Sequence, residues 1–258
     1  MKRAIYIGYD PREHVEFEVA ATTAAQFSTG VEIQPIRLAS LQAAGLYTRP
    51  IERRGVQLFD PISDAPMSTE FAISRFLTPI LAETGWALFM DSDMLVRGSL
   101  DDLFAQADPA YAVMCVKHRH VPDTTVKMDG QAQTLYARKN WSSVMLFNCQ
   151  HPANERLTVE MVNTRPGRDL HRFCWLQDNE IGRLDTRWNF LVGHSPEGIN
   201  PCVVHFTDGT PLMRGYENQP YADEWRAAAA MRDTWTFSRN YARSGTRSRR
   251  EAHPSPSP

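Results

Sequence analysis

Two acidic residues, one position apart, close an apolar run in Trp86-Ala-Leu-Phe-Met-Asp91-Ser92-Asp93. In an extended chain, side chains two positions apart point to the same side, so Asp91 and Asp93 project together. Neighbouring carboxylates repel unless a cation sits between them. Their hard oxygens suit Mn²⁺ or Mg²⁺, ions that keep positions open for phosphate oxygens. A second apolar run ends in Val203-Val204-His205-Phe206-Thr207-Asp208-Gly209, where His205 offers an imidazole that suits Mn²⁺ better than Mg²⁺. Arg75 lies in an apolar segment ahead of the acid pair, and a guanidinium there needs a carboxylate or phosphate partner. Asp178, in Trp175-Leu-Gln177-Asp178-Asn179-Glu180-Ile181, is a further carboxylate, suited to a substrate hydroxyl or a developing positive charge. Each feature alone also has a plain explanation: an acidic turn, a packing histidine, a structural ion pair, an exposed helix face.

The setting of the acid pair raises its functional reading, while the alternatives for His205, Arg75 and Asp178 stay open. Residues 86–90 read as a buried strand, which places the acid pair at its tip, and Ser99-Leu-Asp-Asp102 reads as a helix start soon after. Further strands are predicted at 4–9, 31–38, 111–116, 143–147 and 203–206, with 31–38 near a sheet edge because Pro35 removes a ladder donor. Helices are predicted at 14–27, 69–83, 153–163, 175–184 and 222–232. Residues 45–68 read as a long irregular loop. Strands alternating with helices predict an α/β layered fold, whose ligand crevice lies beyond the C-terminal ends of the strands. Residues 1–243 are expected to form one catalytic domain. Residues 244–258, rich in Arg, Pro and Ser, are expected to be a disordered tail.

The chain has 258 residues, 42% of them hydrophobic, enough for a sizeable core. Its net charge of −2 supplies no general attraction for nucleic acid. Cys115, Cys149, Cys174 and Cys202 are widely spaced and form no C-x-x-C pair, which fits reduced thiols in a cytoplasmic protein. No apolar run reaches the length of a transmembrane segment. Arg239, Arg243, Arg247, Arg249 and Arg250 make the C-terminal end basic. It is read as a solubilising tail, with peripheral contact at the inner membrane face as the alternative.

The segments IYIGYD, ISRFLTPIL, the strand with Asp91-Ser92-Asp93, SVMLFN, LQDNEI and VVHFTDG, in this order, resemble the retaining glycosyltransferases of family 8. That group includes glycogenin and bacterial lipopolysaccharide galactosyl- and glucosyltransferases. The resemblance implies a GT-A fold, Rossmann-like, around a mostly parallel sheet. It implies that Asp91, Asp93 and His205 hold Mn²⁺, with Mg²⁺ as the alternative ion. It further implies that Tyr9, Asp10, Arg75, Ser92, Asn179 and Arg214 bind a nucleotide-sugar donor, a UDP-sugar, and that Asp178 and Arg75 are catalytic. A hexose would pass to a glycan, glycolipid or protein acceptor. Two departures mark a divergent branch. Trp141 stands where the family has Asn, and Arg214 stands in for a Lys after the His-Gly turn. Retention admits either a carboxylate nucleophile or attack from the face the diphosphate leaves. Competing readings are a sugar-nucleotide-binding protein without turnover, a nucleotidyltransferase, and a D-x-D phosphatase.

Overall fold

The computed structural model describes residues 2–118, 138 and 140–231. The expected tail from residue 244, the basic residues from Arg239 onward and residues 119–137 lie outside these residues. The chain opens on β1 (Arg3–Tyr9), followed by α1 (His14–Gln26), β2 (Glu32–Arg37) and α2 (Leu38–Ala43). Three short strands follow, β3 (Glu52–Arg54), β4 (Gln57–Asp60) and β5 (Ala65–Met67). Then come α3 (Thr78–Ala82), β6 (Trp86–Met90), β7 (Met94–Val96), α4 (Leu100–Phe104), β8 (Val113–Val116) and β9 (Val144–Asn148). The described chain closes through α5 (Val159–Thr164), α6 (Gly167–His171), β10 (Ile181–Leu184), β11 (Phe190–Leu191), β12 (Val203–His205) and α7 (Ala222–Met231).

Six strands form the main sheet in the order β10-β8-β9-β6-β1-β2. Neighbours pair in parallel except where β9 runs against β6 and β8. The central strands are continuous apolar runs because both sheet faces are covered. Alternate residues serve opposite cores. Tyr6, Phe89, Met145 and Phe147 join one, with Phe71, Phe76 and Trp175. Ile5, Ile7, Leu88, Met90 and Leu146 join the other, with Phe17 of α1 and Leu103 of α4. Fully burying each such side chain contributes about 1.5–3 kcal/mol. Gly8 is required here: a Cβ at that position would lie 2.3 Å from the Phe71 ring. The strand at 31–38 is an edge strand, as Pro35 requires.

Several sequence expectations need correction. Residues 45–68 are not simply a loop, since β3, β4 and β5 form an antiparallel sheet of their own. The strands are short and the segment carries no long apolar run, so alternation was hard to see. The helix expected over 69–83 is reduced to a 3-10 turn at Ser74–Leu77 and the single turn of α3. Pro79 lies in the first turn of α3, where its missing N–H costs nothing, whereas it would break a longer helix. The helix expected over 175–184 is a 3-10 turn at Asp178–Glu180 followed by strand β10. The 153–163 helix divides into a 3-10 turn at Pro152–Arg156 and α5. Cys115 and Cys202 are buried, but Cys174 is exposed. Among the described residues no helix is long and apolar enough to cross a membrane.

The small β3–β5 sheet is fastened to the body by one buried ion pair. Arg49 Nε donates to Asp60 Oδ1 at 2.9 Å, and Arg49 Nη2 binds Asp60 Oδ2, both side chains being essentially inaccessible. Arg49 Nη1 donates to the carbonyls of Val162 (3.1 Å) and Arg165 (2.7 Å), so the guanidinium joins β4 to α5. Burial alone would raise the Asp60 carboxyl. The hydrogen bonds from Arg49 and Ser63 and the charge of Arg49 hold it below its ordinary value. Replacing one partner strands the other: Arg49→Met or Asp60→Asn is expected to lower stability by about 3–5 kcal/mol in urea denaturation. A depressed carboxyl stabilises the fold fully above its unfolded value and loses that effect as pH falls through the folded one. The Asp60→Asn deficit should therefore be equal at pH 7 and pH 5, and shrink below about pH 4.

Candidate active site

The acid pair stands where β6 ends. The Asp91 N–H donates to the Ser143 carbonyl at 3.1 Å, which ties the strand tip to the turn before β9. The chain then reverses sheets: β7 pairs antiparallel with β12, with His205 opposite Met94. The Phe206 N–H donates to the Asp93 carbonyl at 3.0 Å. This backbone pairing carries His205 to the acids. One ligand atom from each of Asp91, Asp93 and His205 falls within 4.8 Å of the others. His205 Nδ1 lies 3.0 Å from Asn189 Oδ1, and Asn189 Nδ2 in turn donates to Ser143 Oγ at 2.8 Å. An Asn oxygen can only accept, so Nδ1 carries a proton, and Nε2, 3.3 Å from Asp93 Oδ1, is the nitrogen that faces the acids.

Electrostatically the site holds more negative charge than its cations balance. Arg75 Nη1 lies 2.7 Å from Asp91 Oδ1, and its guanidinium sits 5.4 Å and 5.1 Å from the ring centroids of Phe71 and Phe89. Burial pushes the Asp91 carboxyl up to about 6 even though Arg75 pulls it down, and Asp93 adds to the rise. Burial also pushes Glu13 up to about 7 against its hydrogen bond from Ser92, with Asp93, Asp10 and Asp91 adding repulsion. For His205 burial favours the neutral form, but the two carboxylates outweigh it and hold the imidazole above its usual value. Asp91 Oδ1 and Asp93 Oδ1 are buried and make no aligned hydrogen bond. Two adjacent carboxylates that share one guanidinium, with an imidazole nitrogen facing them, are a donor set that a hard divalent cation satisfies, so these residues fit one.

Beside this cluster opens a cavity of about 330 Å³. Arg75, Asp91, Asp93 and His205 all line it, and the structure brings these four together as the sequence predicts. Glu13, Asn140, Ser142, Ser143, His171 and Thr210 also line it and were missed. Asn189, the support for His205, was missed as well. Its signal was faint: an amide between Trp188 and Phe190, with a fully buried side chain. Asn140 adopts the left-handed conformation (φ 62°) that Asn tolerates. It is therefore the residue beside Trp141, and not Trp141 itself, that faces the cavity. Trp141 donates from Nε1 to the His118 carbonyl at 3.0 Å.

The remaining sequence candidates lie elsewhere. Ser92 is fully buried and its hydroxyl donates to Glu13 Oε2 at 2.6 Å, so it braces Glu13 and does not face a donor. Asp10 is fully buried and accepts from Arg12 Nη2 (2.6 Å) and the Glu70 N–H (2.9 Å), so it latches the end of β1 to the cavity rim. Tyr9 is covered by the Arg37 guanidinium, 3.5 Å from its ring centroid. Asp178 projects into solvent with its side chain 91% exposed and pairs with Arg138. Its expected helix is a 3-10 turn on the surface, and this removes the periodicity that would have turned it inward. Asn179 and Arg214 are exposed, and neither belongs to the cavity wall.

No family model matches the chain. Protein CDI of Arabidopsis thaliana is 43% identical to it over 228 residues, which is 86% of this chain and 83% of that protein. Among solved structures, the glycosyltransferase GlyE of Streptococcus pneumoniae TIGR4 gives a TM-score of 0.56 at 15% identity, over 91% of this chain. The match spans 63% of GlyE, less than two thirds of its length. The galactosyltransferase LgtC, solved with donor and acceptor sugar analogues, gives a TM-score of 0.53 at 13% identity, over 88% of this chain and 95% of that one. Likeness at such identities establishes architecture, and the architecture is the expected GT-A fold. The chain belongs to the family of Protein CDI, on a GT-A scaffold whose sheet ends in an acid–acid–imidazole cluster.

Proposed function

We propose that the protein is a metal-dependent glycosyltransferase of the family 8 type. In this reading it moves a hexose from a UDP-sugar to an acceptor hydroxyl with Mn²⁺ as its ion. The observation that carries the reading is the meeting of Asp91, Asp93 and His205 at the cavity, with one ligand atom of each within 4.8 Å of the others. The GT-A architecture supports it, as do the glycosyltransferases GlyE and LgtC that share it.

Asp91, Asp93 and the Nε2 atom of His205 would hold the ion. The ion supplies a Lewis acid that offsets negative charge on the departing diphosphate. Asn189 keeps His205 Nε2 aimed at the acids. Arg75, anchored on Asp91 and on the Ser142 carbonyl (3.0 Å), is a fixed positive charge beside the same region. A charge held in place before reaction stabilises the transition state without reorganising. Asp178 points into solvent, so we place it outside the chemistry and favour retention by attack from the face the diphosphate leaves, with a phosphate oxygen taking the acceptor's proton.

A screen of sugar nucleotides with Mn²⁺, read by donor hydrolysis and thermal stabilisation, should single out UDP-sugars, with products of retained anomeric configuration by NMR. Asp93→Ala and Asp91→Asn are each expected to cut turnover by about a hundredfold or more while the far-ultraviolet spectrum stays native. Full turnover by either variant in chelator-buffered metal would remove the ion from the reading. Asn189→Ala should weaken Mn²⁺ binding by about 10–100-fold, measured by calorimetry. Metal affinity should fall as pH drops through about 6, where Asp91 takes up a proton in the empty site, and the raised His205 imidazole adds to that fall from higher pH. An affinity independent of pH between 7.5 and 5.5 would contradict that ligand set.

A further inference from the structure

The cavity lining holds two chemically different sets of side chains. Glu13, Arg75, Asp91, Asp93 and His205 are the charged set. Asn140, Ser142, Ser143 and His171 are polar, and Arg75 Nη1 reaches this second set through the Ser142 carbonyl. In this second set Ser143 is already engaged: its hydroxyl donates to the Asn140 carbonyl at 2.8 Å and accepts from Asn189 Nδ2. Ser142 and His171 are engaged with each other, Oγ lying 2.7 Å from Nδ1.

His171 ends α6 and is held from two sides. Its ring meets Phe76 edge-on at 5.2 Å, and the backbone of Ser142 is pinned by Arg75. Burial and the Arg75 charge push the imidazole down to about 3, so it is neutral where the fold works. A neutral imidazole has one donor and one acceptor nitrogen, and a serine hydroxyl has one donor and two acceptor sites. The bond between them uses one donor and one acceptor, whichever way it runs. The pair therefore retains a donor and two acceptor sites. A phosphate, which only accepts and carries charge, has its natural partners in the charged set. A sugar hydroxyl, which both donates and accepts, matches this pair.

We propose that the Ser142–His171 pair selects the sugar of the donor by hydrogen-bonding a ring hydroxyl whose orientation differs between hexoses. The inference rests on the sugar-nucleotide reading above. A site built to pair with a hydroxyl rejects the isomer that leaves its polar groups unpaired. Selection then comes from His171 and Ser142, and nucleotide affinity from the charged set.

Calorimetry with Mn²⁺ and UDP, UDP-glucose, UDP-galactose or UDP-N-acetylglucosamine tests this. In the wild type the three sugars should differ in affinity. His171→Phe keeps the edge contact with Phe76 but removes both nitrogens. It should bind UDP within about twofold of the wild type, while the ratio between best and worst sugar collapses by about tenfold, the loss of roughly one hydrogen bond. Ser142→Ala should change the ratio in the same direction, and His171→Gln should restore part of it. A structural role alone would lower the melting temperature and weaken UDP and UDP-sugars alike, which would overturn the proposal. So would an unchanged sugar ratio in both His171→Phe and Ser142→Ala, or equal binding of all three sugars by the wild type. No binding of UDP by the wild type would instead overturn the donor reading, and this inference with it.

Discussion

Like-charge repulsion at the tip of β6 is the constraint around which the site is arranged. The backbone at Asp91 and Asp93 is held by hydrogen bonds to Ser143 and Phe206, which keeps the two acids side by side at the strand tip. The fold answers that repulsion only in part. Arg75 lies against Asp91, the imidazole of His205 approaches Asp93, and burial pushes the carboxyl of Glu13 up to about 7, which leaves it only partly ionised near neutral pH. Two carboxylates still share a single guanidinium, and this imbalance is what the proposed cation would offset.

The turn at Trp141–Ser143 links the two sets of lining residues. The Ser143 carbonyl receives the Asp91 N–H, and its hydroxyl receives Asn189, which aims His205. The Ser142 carbonyl receives Arg75, and its hydroxyl meets His171. Two adjacent serines thus support both the Asn189–His205 and the Arg75–His171 contacts of the pocket. Both must be small and polar, because each offers a carbonyl and a hydroxyl in different directions within one turn. A bulky residue at either position would fill the space that the Asn189 amide or the His171 ring occupies.

The frame of the site was legible in the sequence because it is written in contiguous runs. Trp86–Met90 is apolar without interruption and is followed at once by two acids, so strand, tip and ligand pair could be read together. Val203–His205 repeats that pattern with an imidazole. What could not be read was how chain reversal turns side chains. The Phe173–Ile181 segment has helix-like composition, yet it folds as a turn and a strand, and this sends Asp178 into solvent. Short strands such as β3 and β5 span three residues, too few for alternation to register. The supporting residues Asn189, Ser142 and Glu13 act through contacts with residues far away in sequence, and no local spacing announces them.

The pairing of β7 with β12 has a consequence for the order in which the protein becomes competent. The acids leave the ribosome early, attached to a sheet whose first strands are β1, β2 and β6. Their third ligand arrives only after β8, β9, β10 and β11 have been made, and it is delivered by the last strand of the described chain. Contacts so distant in sequence form late, since the intervening chain must be ordered first. A nascent or truncated chain could thus own a nearly complete main sheet and still lack a metal centre. In this molecule the acid–acid–imidazole cluster is completed only by the last strand of the described chain, so an unfinished chain cannot assemble it.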